Sequence, residues 1–128
     1  MEVLDSTALI DLLRGENEVL KKIDLDRPYA TTQINMYELI AGFYRRKVGS
    51  RKFAQAMALF KNIRILSLND FGIIRAAEIS ASLWEKGLAT SDSDCLIAGI
   101  MLSHNVSTII TKNTKHFSRI TGLKVEGY

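Results

Sequence analysis

Five short runs rich in apolar and β-branched residues recur along the chain, and helical periodicity fills the intervals between them. The runs centre on Val3-Leu4, then on residues 28–31, 65–68, 106–111 and 123–126. Strands joined this way cannot pair as hairpins. Each needs a crossover, and a crossover made by a helix returns the next strand parallel to the last. The predicted fold is therefore α/β, with a mainly parallel sheet. The single proline, Pro28, stands at the start of a strand, where a missing N–H is tolerated.

The helices are predicted with their ends. The first carries Leu9, Ile10, Leu12 and Leu13, with Ser6 and Thr7 as capping hydroxyls and Gly15 as its stop. Residues 18–23 make a short second helix, and 34–46 and 50–62 make two longer ones. Phe53, Met57 and Phe60 form one apolar stripe on the last of these, which reads as core. Asn69 or Asp70 caps a long helix ending at Gly87. Residues 94–104 form a strongly apolar helix and 115–120 a helical turn.

At 128 residues the chain suits one domain, 1–128, able to bury a real core without staples. Its formal charge of +3 is a mild basic bias, compatible with an anionic partner and weak evidence for one. Arg45, Arg46, Lys47, Arg51 and Lys52 crowd one stretch, which reads first as a solvated helix end and its turn. Cys95 is the one cysteine, so no intrachain disulfide forms, and a small buried hydrophobe is its expected role. One Cys and two distant His, His104 and His116, do not assemble a zinc site or a nucleophile pair. No basic-then-apolar leader opens the sequence, and the apolar run 96–102 is too short to span a bilayer. A cytoplasmic protein is expected.

The chemistry lies in acids placed where strands hand over to helices. Asp5 follows the first strand, Glu38 sits about one turn into a helix, and Asp94 opens another. In a parallel sheet such positions gather at the carboxyl ends of the strands. Gathered carboxylates repel: two unit charges about 4 Å apart interact by roughly 4 kcal/mol at an effective dielectric near 20. A hard divalent cation, Mg²⁺ or Mn²⁺, removes that cost through oxygen ligands. Each of these residues, and Asn113 later in the chain, also has a plain structural explanation. Asp5 can cap a helix, Glu38 can face solvent, Asn113 can form a turn, and Ser91 with Asp94 has capping-box spacing. It is their joint placement that points to a metal site.

With these residues in place, the sequence resembles the PIN-domain ribonucleases, and within them the VapC-type toxins of prokaryotic toxin–antitoxin pairs. The resemblance runs from Val3 to Leu123. It is carried by Leu4-Asp5-Ser6, by Glu38-Leu39 with Gly42, by Asp94-Cys95-Leu96-Ile97-Ala98, and by Thr111-Lys112-Asn113 through His116-Phe117. It implies a three-layer α/β/α domain and a Mg²⁺- or Mn²⁺-dependent endoribonuclease acting on single-stranded RNA. It also implies a VapB-like antitoxin as partner and a homodimeric state. Asp5, Glu38 and Asp94 carry over as metal ligands. Asn113 takes a fourth position that many relatives fill with Asp, which weakens the case for a tightly held second ion. Ser6 and Thr111 fall beside them as hydroxyls that orient a carboxylate or a water, and Asp92 is an accessory acid without a firm counterpart. Arg14, Lys112 and Lys115 are the expected holds on an RNA backbone. His116 is near enough to touch a phosphate, although a surface role is its plainer reading. A cation at such a site lowers the pKa of bound water and stabilises charge on a phosphoryl group, as a phosphodiesterase requires.

Rival readings fit less well. A phosphoacceptor receiver module needs an acidic pair at the end of the first strand, where Val3 and Leu4 stand. A haloacid-dehalogenase-type phosphatase needs Asp-x-Asp, and position 7 is Thr. A catalytically silent PIN-like binding module is separable only by activity or metal titration.

Overall fold

The computed structural model describes residues 1–24 and 26–128. Its strands are β1 (Glu2–Leu4), β2 (Tyr29–Thr32), β3 (Arg64–Leu66), β4 (Thr108–Ile110) and β5 (Lys124–Glu126). Between them run α1 (Ser6–Leu13), α2 (Asn17–Lys22), α3 (Gln33–Arg45), α4 (Ser50–Asn62), α5 (Asp70–Glu85), α6 (Asp92–Ser103) and α7 (Thr114–Phe117). All four strand pairings are parallel, in the order β3-β2-β1-β4-β5.

The strands' two-residue period sorts the core into two halves. Val3, Ala30, Leu66 and Ile109 pack on one face against Ile79 and Leu83 of α5 and Ile97, Ile100 and Met101 of α6. Their neighbours Leu4, Tyr29 and Ile110 pack on the other face against Leu9 of α1, Leu39 and Phe43 of α3 and Phe60 of α4. Helices thus cover both faces, giving the expected three layers. α6 is buried nearly all round, and a side chain at Gly99 would collide with the Gly72 carbonyl and Ala76, so α5 and α6 meet where only glycine fits.

The ends of several elements depart from the sequence reading for local reasons. Ser6 and Thr7 do not cap α1; Asp5 takes the N-cap position and both hydroxyls lie within the helix, free to turn toward other partners. The third strand stops at Leu66, and the Leu68 N–H goes instead to the Gln33 side chain. Asn69 caps α5 by accepting from the Gly72 N–H at 2.8 Å. α6 begins at Asp92 because Ser91 caps it, accepting from the Asp94 N–H at 3.3 Å.

The strand order reverses about β1. The chain first builds outward through β2 and β3, then returns to add β4 and β5 on the other side. The carboxyl ends of β1 and β4 therefore flank a switch point, where parallel sheets bind ligands. Asp5 follows one of these strands and Thr111 the other, joined by a bond from the Asp5 N–H to the Ile110 carbonyl (3.1 Å).

Candidate active site

Asp5 is the fixed point of the crevice. It is 5 % exposed, and its carboxylate accepts hydrogen bonds from Asn35 Nδ2 (2.9 Å), Thr111 Oγ1 (2.7 Å) and Thr7 Oγ1 (3.3 Å). A buried carboxylate needs such donors, because desolvation without them costs several kcal/mol. Asn35 is oriented by its own helix end. The Thr32 hydroxyl donates to Asn35 Oδ1 (2.8 Å) and accepts from the Asn35 N–H (3.2 Å), a reciprocal cap on α3. With Oδ1 occupied, the amide nitrogen has to face Asp5 and Ser6.

Ser6 relays this order to the second acid. Its hydroxyl accepts from Asn35 Nδ2 (3.0 Å) and donates to Glu38 Oε1 (3.0 Å). Asn35 and Glu38 stand three residues apart on α3, on one face of the helix. Burial raises the Glu38 carboxyl above its ordinary value; the Ser6 bond pulls it down, and the charges of Asp5 and Asp94 push it up again. Burial likewise raises Asp94, opposed by Ser91 and His116 and assisted by the charge of Asp5. Three acids from β1's exit, α3 and α6 thus share one field.

Their spacing is open. Among the described residues, no three Asp, Glu, His or Cys side chains converge closely enough to enclose an ion by themselves. The donor set nevertheless suits a hard cation. All three candidates are carboxylates, and Glu38 and Asp94 are raised in part by neighbouring negative charge, which a cation would offset.

The other residues singled out from the sequence divide into three groups. Thr111 lies on Asp5, and Asn113 follows it, its N–H donating to Thr111 Oγ1 (2.9 Å). Asn113 Nδ2 also lies 3.1 Å from His116 Nδ1, which is 3.7 Å from Asp94 Oδ2. His116 is therefore part of the acid pocket's rim and not a detached surface histidine. Asp92 is exposed at the start of α6 and hydrogen-bonds none of these side chains among the described residues. Arg14 is exposed at the far end of α1, about 12 Å of helix away from Asp5, where it lines a cleft with Arg46 and Lys52. Lys115 is exposed on α7, whereas Lys112 is engaged in an ion pair. Cys95 is buried, its thiol raised by burial and by the charges of Asp92 and Asp94, as suits a small apolar filler.

Asn35, Asp11 and Tyr128 were not singled out by sequence, and Thr7 was read only as a capping hydroxyl. For Asn35 a signal existed: Thr32-x-x-Asn35 has capping-box spacing with the shorter Asn in place of the usual Glu or Gln. The others depend on contacts across the sheet that local pattern does not encode.

A parallel α/β sheet with an acid pocket at its switch point defines a class; comparison with known proteins defines the family. The family model for the PIN domain matches residues 3–123, and the chain belongs to that family. It is 27 % identical over 97 residues to the tRNA(fMet)-specific endonuclease VapC of Shigella flexneri, covering 76 % of this chain and 73 % of that one. The fold matches VapBC2 of Rickettsia felis, solved bound to a DNA fragment from its promoter, with TM-score 0.88, 21 % identity and coverage of 99 % and 98 % of the two chains. It also matches the DNA-bound VapBC of Salmonella typhimurium, with TM-score 0.86, 24 % identity and coverage of 98 % and 96 %.

Proposed function

We infer that residues 1–128 act as one PIN domain, the toxin of a VapBC-type pair. It is a divalent-metal-dependent endoribonuclease that hydrolyses phosphodiester bonds of single-stranded RNA, and a VapB-like antitoxin restrains it in the cytoplasm. One observation carries the reading: three distant elements bring Asp5, Glu38 and Asp94 to the crevice between β1 and β4, where their charges act on one another. Its membership in the PIN family and likeness to VapC supply the reaction class.

Asp5, Glu38 and Asp94 would hold the ion. Mg²⁺ or Mn²⁺ bound there supplies Lewis-acid stabilisation of charge on the phosphate and an acidified water. The chain's own residues prepare that chemistry. Asn35 and Thr111 fix the Asp5 carboxylate, Ser6 aims Glu38, and Ser91 sets the first turn of α6 that presents Asp94. Asn113 adds a neutral amide beside His116 at the rim. Lys115, exposed on α7, offers positive charge to an RNA backbone near the pocket, and Arg14 offers it farther along, at the other end of α1, a contribution that salt weakens.

Two apolar surfaces support partners. α5 exposes Phe71, Ile74 and Trp84, suited to a second copy, and a groove of about 840 Å³ between α3 and α4 is lined by Phe43, Tyr44, Phe53 and Met57. No helix among the described residues is long and apolar enough to cross a membrane. The deciding experiment is purified, partner-free protein on mixed RNA with and without Mg²⁺ or Mn²⁺. Cleavage that needs the metal is expected, and undiminished cutting in excess EDTA overturns the reading.

A further inference from the structure

Lys112 stands beside the pocket, yet its ammonium is committed elsewhere. Nζ lies 2.8 Å from Asp11 Oδ2 and 5.7 Å from the centre of the Tyr128 ring. The Tyr128 hydroxyl donates to the same Asp11 oxygen (2.8 Å). The Asp11 side chain is 8 % exposed, so this is a carboxylate taken out of water and satisfied by two donors. Burial would raise Asp11, but the Lys112 and Tyr128 bonds, together with the charges of Lys112 and Arg14, outweigh it and hold the carboxyl below its ordinary value. To a phosphate several ångströms away, Lys112 and Asp11 together present a dipole and not a free positive charge.

The backbone of Lys112 is tied to the same helix. Its N–H donates to Thr7 Oγ1 (3.1 Å), and Thr7 and Asp11 are four residues apart on one face of α1. Thr7 Oγ1 in turn meets Asp5 Oδ2 (3.3 Å) and Thr111 Oγ1 (3.3 Å). Residues 126–128 press on the loop from the other side. The Glu126 carbonyl accepts from the Thr111 N–H (3.0 Å), and a Cβ at Gly127 would fall 2.9 Å from the Thr114 methyl. With no side chain at Gly127, the segment after β5 passes Thr114 without displacing its methyl and delivers Tyr128 to Asp11.

We propose that Asp11, Lys112 and Tyr128 form a latch that seats the 111–113 loop on α1, making Lys112 a positioning residue for Thr111 and Asp5, not a contact for the RNA backbone. The proposal rests on the nuclease reading for its consequence and on the hydrogen bonds for its existence. It is tested with Tyr128→Phe, which removes the donor and keeps the ring, and Lys112→Met, which removes the charge and keeps the stem.

Amide hydrogen exchange on the metal-free protein reads the latch directly. The backbone amides at positions 112 and 113 should exchange on the order of tenfold faster in both variants, with those of α5 and α6 unchanged. Exchange within about twofold of wild type at both amides overturns the latch. Cleavage kinetics in Mn²⁺ read its consequence: kcat should fall on the order of tenfold in Lys112→Met, with KM and the salt dependence unchanged. A raised KM with a salt slope smaller by about 0.7 makes Lys112 a phosphate contact and overturns the positioning role. If wild type cleaves no RNA, the nuclease reading fails while hydrogen exchange still decides whether the latch exists.

Discussion

The two ends of the acid pocket are built on opposite principles. Asp5 is buried and saturated, with an amide and two hydroxyls on its carboxylate. Glu38 and Asp94 are half-buried, and the Ser6 bond to Glu38 and the proximity of Ser91 and His116 to Asp94 do not offset burial and neighbouring charge, so both carboxyls are raised. A saturated carboxylate is rigid and cannot move to suit an ion, so adjustment falls to the two less tethered acids. The contrast also separates two kinds of energy: the Asp5 end stabilises the fold, and the Glu38–Asp94 end holds electrostatic strain that a cation would relieve.

The largest test of this contrast is at the fixed end. Asp5→Asn removes the charge with nearly the same shape, and RNA cleavage by partner-free protein in Mn²⁺ should fall by at least about 100-fold. Full activity, with contaminating nuclease excluded, removes Asp5 from the site. Next in size is Asn35→Ala. It strips one donor from Asp5 and one partner from Ser6, and should cost about 1–3 kcal/mol in urea unfolding. Ser6→Ala, at the looser end, should cost less, about 0.5–1.5 kcal/mol. Equal costs for the two would erase the distinction between a saturated and an adjustable end.

Much of this architecture was legible because it is local. The strand–helix alternation, the 50–62 helix and the Asn69 and Ser91 caps all follow from periodicity and turn chemistry within a few residues. The positions of Asp5, Glu38 and Asp94 were legible because parallel topology collects strand ends. What stayed hidden was how the acids are held. Asn35 reaches back 30 residues to Asp5, Thr111 spans 106, and Tyr128 meets Asp11 across 117. Lys112 shows the same limit: its charge is legible in the sequence, whereas its partner Asp11, on the inner face of α1, is visible only once the sheet is assembled.

The adjustable end can be isolated by pH. For a carboxyl raised in the folded state, the native protein holds its proton longer than the unfolded chain does. That contribution to stability is fully present below the unfolded value and is lost as pH rises through the folded one. In EDTA, the double substitution Glu38→Gln with Asp94→Asn should therefore gain on wild type as pH climbs past the ordinary values of 4.5 and 3.8. The difference should level off once both native carboxyls have ionised, and Mn²⁺ should stabilise wild type more than the variant. Asn at position 94 keeps the backbone N–H that Ser91 caps, so loss of the helix end does not confuse the result. A difference that is flat with pH would mean that neither acid is strained.

The smallest effect is expected at Asn113, which lies between the two ends. Its N–H is bound to Thr111 on the Asp5 side, and its amide touches His116, the neighbour of Asp94. Asn113→Asp adds a charge at nearly constant shape. If the rim faces a bound cation, the added carboxylate should tighten Mn²⁺ by a few-fold, or about 1 kcal/mol, most visibly for a weak second ion. In the metal-free protein the same charge adds repulsion to Asp94, and stability should drop slightly. The two signs are opposite, so calorimetric titration and EDTA melting of the same variant give a joint answer. Tighter Mn²⁺ with a lower metal-free melting temperature places Asn113 in the shared field of the acids. Unchanged or weaker Mn²⁺ affinity means that the loop is a structural seat for Asp5 and that the adjustable end stops at Asp94.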